Sequence, residues 1–105
     1  MENEQKNKRW EKCTVNGWIT ACDPGRNTTS GYHRTYNREE VRNGMNLCYY
    51  EDNLPSVVVK EIADDHIVVH VDGAKRTIYT GGRYSSNKKG LNYAYSEVDV
   101  YLNAE

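Results

Sequence analysis

The stretch that decides the fold reads SVVVKEI (residues 56–62), HIVVHV (66–71) and AKRTIY (74–79). The runs are rich in β-branched residues, and two short polar segments separate them, one of which is Asp72-Gly73. Asp-Gly between two such runs favours a two-residue hairpin, because this turn needs positive φ angles that glycine adopts freely. The pattern therefore predicts three antiparallel strands joined as a meander.

A two-residue turn at Asp72-Gly73 also fixes the pairing of the second and third strands. Side chains alternate between the two faces of a strand, so alternate pairs share a face, and we assign the more apolar face to the core. The pairing between 57–62 and 66–71 stays open, since the sequence does not fix the loop length. The predicted core-face pairs are Val71 with Ala74, Val69 with Arg76, and Ile67 with Ile78; on the other face they are His66 with Tyr79, Val68 with Thr77, and His70 with Lys75.

The C-terminal segment predicts a last strand over residues 92–102. Val98, Val100 and Leu102 line one face, as expected for a strand packed on a core. The same period of two places Tyr93, Tyr95 and Tyr101 on the other face, together with Glu97 and Asp99. Residues 80–91, with three glycines, two serines and two lysines, are predicted to be a mobile, basic loop.

Strand signals in the first half of the chain are shorter. Asn16-Gly17 lies between the runs 12–15 and 18–22 and predicts a hairpin turn; the alternative is one bent strand with a bulge at Gly17. The remaining predicted elements are a loop at 23–31, a strand at 32–36, a helical turn at 38–42 capped by Asn37, and a strand at 45–51.

The sum of these elements defines the fold class. A chain of 105 residues has room for one domain, and its turn signals recur every 8–12 residues. We predict an all-β fold of six or seven short antiparallel strands, a small barrel or a twisted sandwich, with at most one short helical turn. Residues 1–11 are predicted to be a flexible polar arm, and residues 12–105 the single domain.

Composition limits the compartment and the partners. Fourteen basic and fifteen acidic residues give a net charge of −1, which disfavours a basic coat for nucleic acid. No apolar run approaches the roughly 20 residues of a membrane span, and no signal-peptide core follows the N-terminus. These features predict a cytoplasmic protein, or a secreted or periplasmic one if a leader has been removed. Three cysteines, an odd number, favour reduced thiols, with one disulfide and a free thiol as the alternative.

Neither a metal site nor a catalytic motif is predicted. Cys13, Cys22 and Cys48 are too far apart in sequence to form the close pairs of a structural zinc site. His66 and His70 share a strand face at roughly 13 Å, which one ion cannot bridge. The chain lacks a nucleophile elbow, a His-Glu-x-x-His motif and a phosphate turn before a helix. We therefore expect no cofactor and no enzymatic activity.

Tyrosine is the unusual part of the composition. Nine Tyr and no Phe indicate either half-buried strands or a rigid binding face, because Tyr buries its ring while its hydroxyl stays in water. The predicted function is binding of another protein, or self-association, through a Tyr-rich face. The alternative is a small barrel that binds single-stranded nucleic acid, since aromatic and basic residues alternate over 79–95. The predicted contact residues are Tyr84, Tyr93, Tyr95, Tyr101 and Arg83.

A short motif suggests a third function. The run GRYSS (residues 82–86), followed by Lys89-Gly90 and a terminal strand, resembles the C-terminal motif of periplasmic C-type lysozyme inhibitors. The resemblance covers only this end of the chain. It implies an enzyme inhibitor of the cell envelope, on the condition that a leader was removed.

Overall fold

The protein folds almost entirely into strands. A computed structural model describes residues 9–21, 29–49, 54–89 and 94–104. Within these ranges the elements are β1 (Trp10–Ala21), β2 (Thr29–Asn37), a 3₁₀ turn (Arg38–Glu40), β3 (Val57–Ile62), β4 (His66–Val71), β5 (Ala74–Tyr79), β6 (Arg83–Lys89) and β7 (Ala94–Ala104).

The strands form two antiparallel sheets. One has four strands in the order β2-β1-β7-β6, and the other has three in the order β3-β4-β5. In the described part of the chain each sheet keeps two edge strands, so neither closes into a barrel. The predicted all-β class is confirmed, and of its two forms the structure is sandwich-like. No helix within the described ranges is long and apolar enough to cross a membrane.

The predicted meander is confirmed. β4 pairs with β5 in the predicted register, with Val71 opposite Ala74 and Ile67 opposite Ile78. Asp72 and Gly73 both have positive φ angles, 51° and 88°, as the two-residue turn requires. The pairing left open by the sequence places Ile62 opposite Ile67, with Lys60 as the extra residue of a bulge in β3.

The predicted hairpin at Asn16-Gly17 is wrong, because β1 runs through it as one strand. Gly17 pairs with Tyr32 on β2 and with Val98 on β7, and neither ladder shifts register there, so the strand has no bulge at this glycine. Backbone pairing on both sides outweighs the local turn preference. β1 begins at Trp10, which is fully buried, so the last two residues of the predicted arm belong to the sheet, whereas residues 1–8 lie outside the described ranges.

The predicted loop at 80–91 is also wrong. Arg83–Lys89 form the edge strand β6, which pairs with β7 from Arg83 opposite Tyr101 to Lys89 opposite Tyr95. Its polar composition predicted a loop, but an edge strand with one exposed face also needs few apolar side chains. The short segment before it is a turn, where the Gly82 N–H donates to the Tyr79 carbonyl at 2.7 Å, and residues 90 and 91 lie outside the described ranges.

Over residues 45–49 the predicted strand 45–51 is replaced by a turn with a single bridge, between Asn46 and Val58, and residues 50 and 51 lie outside the described ranges. The side-chain Oδ1 of Asn46 accepts hydrogen bonds from the backbone N–H groups of Cys48 at 3.1 Å and Val57 at 3.0 Å. An Asn side chain that binds nearby N–H groups competes with regular pairing, which explains the turn. The predicted helical turn is confirmed in shorter form as the 3₁₀ turn after Asn37.

One core lies between the two sheets. Alternate residues of β1 and β7 supply one side, and the meander supplies the other. Residues outside the strands also belong to this core, namely Val41, Leu47, Cys48 and Leu54. The fully buried side chains are Trp10, Cys13, Val15, Leu47, Val57, Val59, Ile67, Val69, Ile78, Val98, Val100 and Leu102.

Candidate functional site

The face of the four-stranded sheet directed away from the core, here called the outer face, carries the candidate site. Side chains alternate between the two faces in β1 from Lys12 onward and in β7, so that Val15 and Val100 are buried whereas their neighbours point outward. The described outer-face residues contain no aliphatic side chain. They are His33, Thr35 and Asn37 on β2; Lys12, Thr14, Asn16 and Trp18 on β1; Glu97, Asp99, Tyr101 and Asn103 on β7; and Arg83 and Ser85 on β6.

Strand register arranges these residues in rows across the sheet. One row runs through Thr14, Tyr101 and Arg83, and the next through Asn16, Asp99 and Ser85. Neighbouring strands lie about 4.8 Å apart, so the side chains within a row are close enough to act on one ligand. The Ser85 hydroxyl donates to Asp99 Oδ1 at 2.6 Å, which holds that carboxylate in place.

Two further side-chain pairs fix the β2 side of the rows. Asn16 Oδ1 hydrogen-bonds Nδ1 of His33, and the hydroxyls of Thr14 and Thr35 lie 3.4 Å apart. Each pair joins β1 to its neighbour β2 through side chains as well as through the backbone. Several polar side chains of the outer face are therefore held in place by cross-strand contacts before a ligand binds.

A cleft of about 480 Å³ opens at one end of this face. Its size falls within the range of small-molecule sites in proteins. Arg83 from the edge strand forms one wall, and the other lining residues come from the two central strands. The lining consists of Thr14, Asn16, Arg83, Asp99, Tyr101 and Asn103.

The structure brings together only part of the predicted contact set. Arg83 and Tyr101 are cross-strand neighbours on the outer face. Tyr84 points to the opposite side, where it packs against the core and lies under the Arg76 guanidinium at 5.5 Å. Tyr95 belongs to β7, but its side chain is not among the described ones, and Tyr93 lies outside the described residues.

Sequence analysis missed Trp18. With 39% of its surface exposed on the outer face, it lies opposite Glu97 on β7 and Gly31 on β2. The predicted hairpin at Asn16-Gly17 explains the omission. A turn there would interrupt the alternation of side chains that places Trp18 on the same strand face as Thr14 and Asn16. The signal in the sequence was the period of two from Cys13 through Val15, Gly17 and Ile19.

Two tyrosines prove to be structural. The hydroxyls of Tyr32 and Tyr36 both donate to the Leu47 carbonyl, at 2.8 and 3.0 Å, and thereby tie the 41–49 segment to β2. Burial is the main cause that raises the pKa of each phenol above its ordinary value, and each hydroxyl stays protonated as a donor. The rings of Tyr49 and Tyr79, by contrast, are more than half exposed.

The other titratable groups of interest in the described ranges are cysteines and a histidine. Cys13 and Cys48 are free and buried, and burial raises the pKa of each thiol to about 12, which makes them poor nucleophiles. Cys22 lies outside the described residues. His66 contacts Asp65 at 2.7 Å and Glu61 at 3.9 Å. Among the described residues no three His, Cys, Asp or Glu side chains are grouped to hold a metal ion.

Comparisons with known proteins add no relative from which a function could be transferred. The chain matches no protein-family model, no curated protein sequence and no solved structure.

Proposed function

We propose that this chain is a non-enzymatic binding protein, that its partner is another protein, and that the outer face is the contact surface. The observation that carries the proposal is the presence of Trp18, Tyr101 and Arg83 on one sheet face. Trp, Tyr and Arg are the residue types most enriched among binding hot spots. Trp18 and Tyr101 keep 39% and 36% of their surface exposed, although each has a large ring to bury.

Backbone rigidity supports the same proposal. Trp18 and Tyr101 lie on the two central strands of the sheet, each paired on both sides. Rings fixed in this way lose little conformational freedom on binding, so more of their interaction energy appears as affinity. The polar groups around them, among them Asn16 and Thr14, suit the hydrogen-bonding rim of a protein interface.

The charges on the outer face favour a protein over a nucleic acid. Asp99 lies two residues before Tyr101 on the same face of β7, and the described cations of this face are Lys12 on β1 and Arg83 on β6. A phosphate backbone laid over the ring of Tyr101 would approach the Asp99 carboxylate. Single-strand binders rely on phosphate neutralisation, and this arrangement would oppose it.

Inhibition of an enzyme is one form of this proposal. The run that resembles C-type lysozyme inhibitors includes Gly82 in the turn before β6 and Arg83 at the start of that strand. Arg83 also borders the cleft, so an enzyme bound to the outer face would contact this end of the motif. Such a target is a proposal that rests on the motif alone.

Site-specific photocrosslinking tests the contact surface. A photoreactive phenylalanine analogue is placed at Tyr101 in one variant, at Trp18 in a second, and at the exposed Tyr79 on β5 in a control. In native lysate we expect positions 101 and 18 to capture the same protein and position 79 not to capture it. Capture of that protein by all three positions alike, or by position 79 alone, would contradict the proposal. Sedimentation of the purified chain checks for self-association.

A further inference from the structure

We propose that the outer-face cleft binds a neutral saccharide unit, through its polar side chains and the ring of Tyr101. This inference rests on the proposed contact surface and deepens it by naming the chemical group that the partner presents there. Five of the six lining side chains end in polar groups without an aromatic ring, and Tyr101 is the only lining residue with an extended apolar surface. A ligand for this cleft must therefore carry hydrogen-bonding groups around most of its edge and one apolar patch.

The free hydrogen-bonding groups of the cleft are of both kinds. Among the described residues, no hydrogen bond or ion pair engages the side chains of Arg83, Tyr101 or Asn103. Arg83 offers donors only, whereas the Asn103 amide and the Tyr101 hydroxyl can each donate and accept. Asp99 has used one oxygen for Ser85 and keeps acceptor capacity on the other. A ligand hydroxyl, which donates and accepts at once, satisfies such a mixture better than a group with a single role.

The charges of the cleft favour a neutral ligand over an anion or a cation. Arg83 and Asp99 contribute one charge of each sign, and the other four lining residues are neutral. A phosphate or carboxylate beside Arg83 would also approach the Asp99 carboxylate, and a cation beside Asp99 would approach the guanidinium. A neutral ligand meets neither repulsion and can use both groups through strong charge-assisted hydrogen bonds.

Strand geometry places these groups on both sides of the Tyr101 ring. Thr14 lies opposite Tyr101 on β1 and Arg83 lies opposite it on β6, so the ring is flanked along its row. Asp99 and Asn103 lie two residues before and after it on the same face of β7. A ring-shaped polyol over Tyr101 would set its apolar C–H face on the phenol and direct its hydroxyls toward the four flanking side chains. A sugar ring has this combination of an apolar face and a hydroxylated edge.

The test is a titration of the full ¹⁵N-labelled chain, followed by two-dimensional NMR. The probes are neutral oligosaccharides of glucose, galactose, mannose and N-acetylglucosamine, each used free and coupled to an albumin carrier, with bare albumin, inorganic phosphate and spermidine as comparison probes. We expect at least one saccharide to shift the amide signals of Arg83, Asp99 and Tyr101. We also expect Tyr101→Ala and Arg83→Ala to weaken that binding by about tenfold or more.

Matched variants on the other sheet separate a local effect from a global one. Tyr79→Ala removes an exposed tyrosine from β5, and Lys75→Ala removes an exposed cation from the same strand. Both should bind the saccharide as the unmodified chain does. Binding of the free saccharide would identify a site for soluble sugars, and binding of the coupled form alone would identify a glycosylated partner; both support the inference.

Three outcomes would overturn the inference: no saccharide in either form shifts the cleft signals, phosphate or spermidine shifts them instead, or the two controls weaken binding as much as Tyr101→Ala. If bare albumin binds as well as the sugar-coupled form, the saccharide inference fails while a protein contact remains. The proposed protein contact fails separately, when crosslinking from positions 101 and 18 captures nothing that position 79 does not.

Discussion

The side chain of Leu54 lies over Gly17, so closely that a Cβ built on this glycine would stand 2.5 Å from Cδ1 of Leu54. Gly17 lies inside strand β1, where glycine is normally unfavourable because it loses more conformational entropy on folding than other residues and has no side chain to pack. Its presence makes room for the side chain of Leu54 against β1, where Leu54 is only 7% exposed. The glycine is thus a contact site for another side chain rather than a turn residue.

Gly17→Ala should destabilise the protein by about 1–3 kcal/mol, because Leu54 must leave its place in the core. Chemical denaturation measures the change. Gly31→Ala is the matched control: its Cβ would lie 3.5 Å from Nε1 of Trp18, an ordinary contact, and the change should stay within about 1 kcal/mol. In a Leu54→Ala background the cost of Gly17→Ala should largely vanish. Additive effects of the two substitutions would contradict the contact.

Gly73→Val should cost about 1–2 kcal/mol, since Gly73 has a φ of 88° that a β-branched residue adopts only under strain. The thermal midpoint reports the loss. Ala74→Val, one residue further on at an exposed strand position, is the control and should have little effect. Equal midpoints for Gly73→Val and the unmodified protein would rule out the two-residue turn.

The free energy of unfolding should fall as the pH rises above about 9. Thiols in the unfolded chain ionise near 9.0, whereas burial raises the pKa of Cys13 and Cys48 to about 12 in the fold. Between these values the unfolded state binds fewer protons than the native state, so stability declines, by up to about 1.4 kcal/mol per pH unit for each thiol. Urea unfolding at pH 8 and pH 10 measures the decline. The Cys13→Ala and Cys48→Ala double variant should lose less stability over this range, and an unchanged slope would contradict the assignment.

All three cysteines should be thiols in the native protein. Titration under denaturing, non-reducing conditions should find three reactive groups per chain. In the native state Cys13 and Cys48 should react slowly, because both are buried and protonated at neutral pH. A single reactive group after denaturation would reveal a disulfide.

Tyr84→Ala and Tyr101→Ala should differ in their effect on stability, although the two residues lie on adjacent strands. Tyr84 packs against the core and the Arg76 guanidinium, so its truncation should cost about 2 kcal/mol or more. Tyr101 faces outward, and its truncation should cost less than about 1 kcal/mol. Thermal unfolding of the two variants side by side makes the comparison. Equal losses would mean that the tyrosines are not on opposite faces.

Local sequence was sufficient for the meander and for the faces of β7. In both, alternating β-branched residues and a turn with a defined φ requirement act within a few residues of one another, as for Val69 and Asp72-Gly73. The core side of Val98, Val100 and Leu102 followed from the same alternation, and all three are fully buried.

Local sequence did not predict the pairing between strands that lie far apart along the chain. Asn16-Gly17 has the composition of a turn, and only its pairing with β2 and β7 keeps it extended. Arg83–Lys89 has the composition of a loop, and pairing with β7 makes it a strand. The cleft depends on both results, because Asn16 and Arg83 meet only when β7 lies between β1 and β6. For this reason the sequence indicated Tyr101 and Arg83 individually but not the side chains that surround them.

The chain has two tryptophans, and the sheet gives them opposite environments. Trp10 is fully buried, its Nε1 donates to the Ala63 carbonyl at 3.0 Å, and the Arg38 guanidinium lies 5.0 Å from its ring. Trp18 is open to the medium on the outer face. Tryptophan fluorescence is therefore the sum of two signals. The emission of the buried Trp10 reports unfolding, and the emission of the exposed Trp18 reports ligand binding at the outer face. Acrylamide should quench the second and spare the first, so a single unlabelled sample can follow folding and ligand occupancy independently.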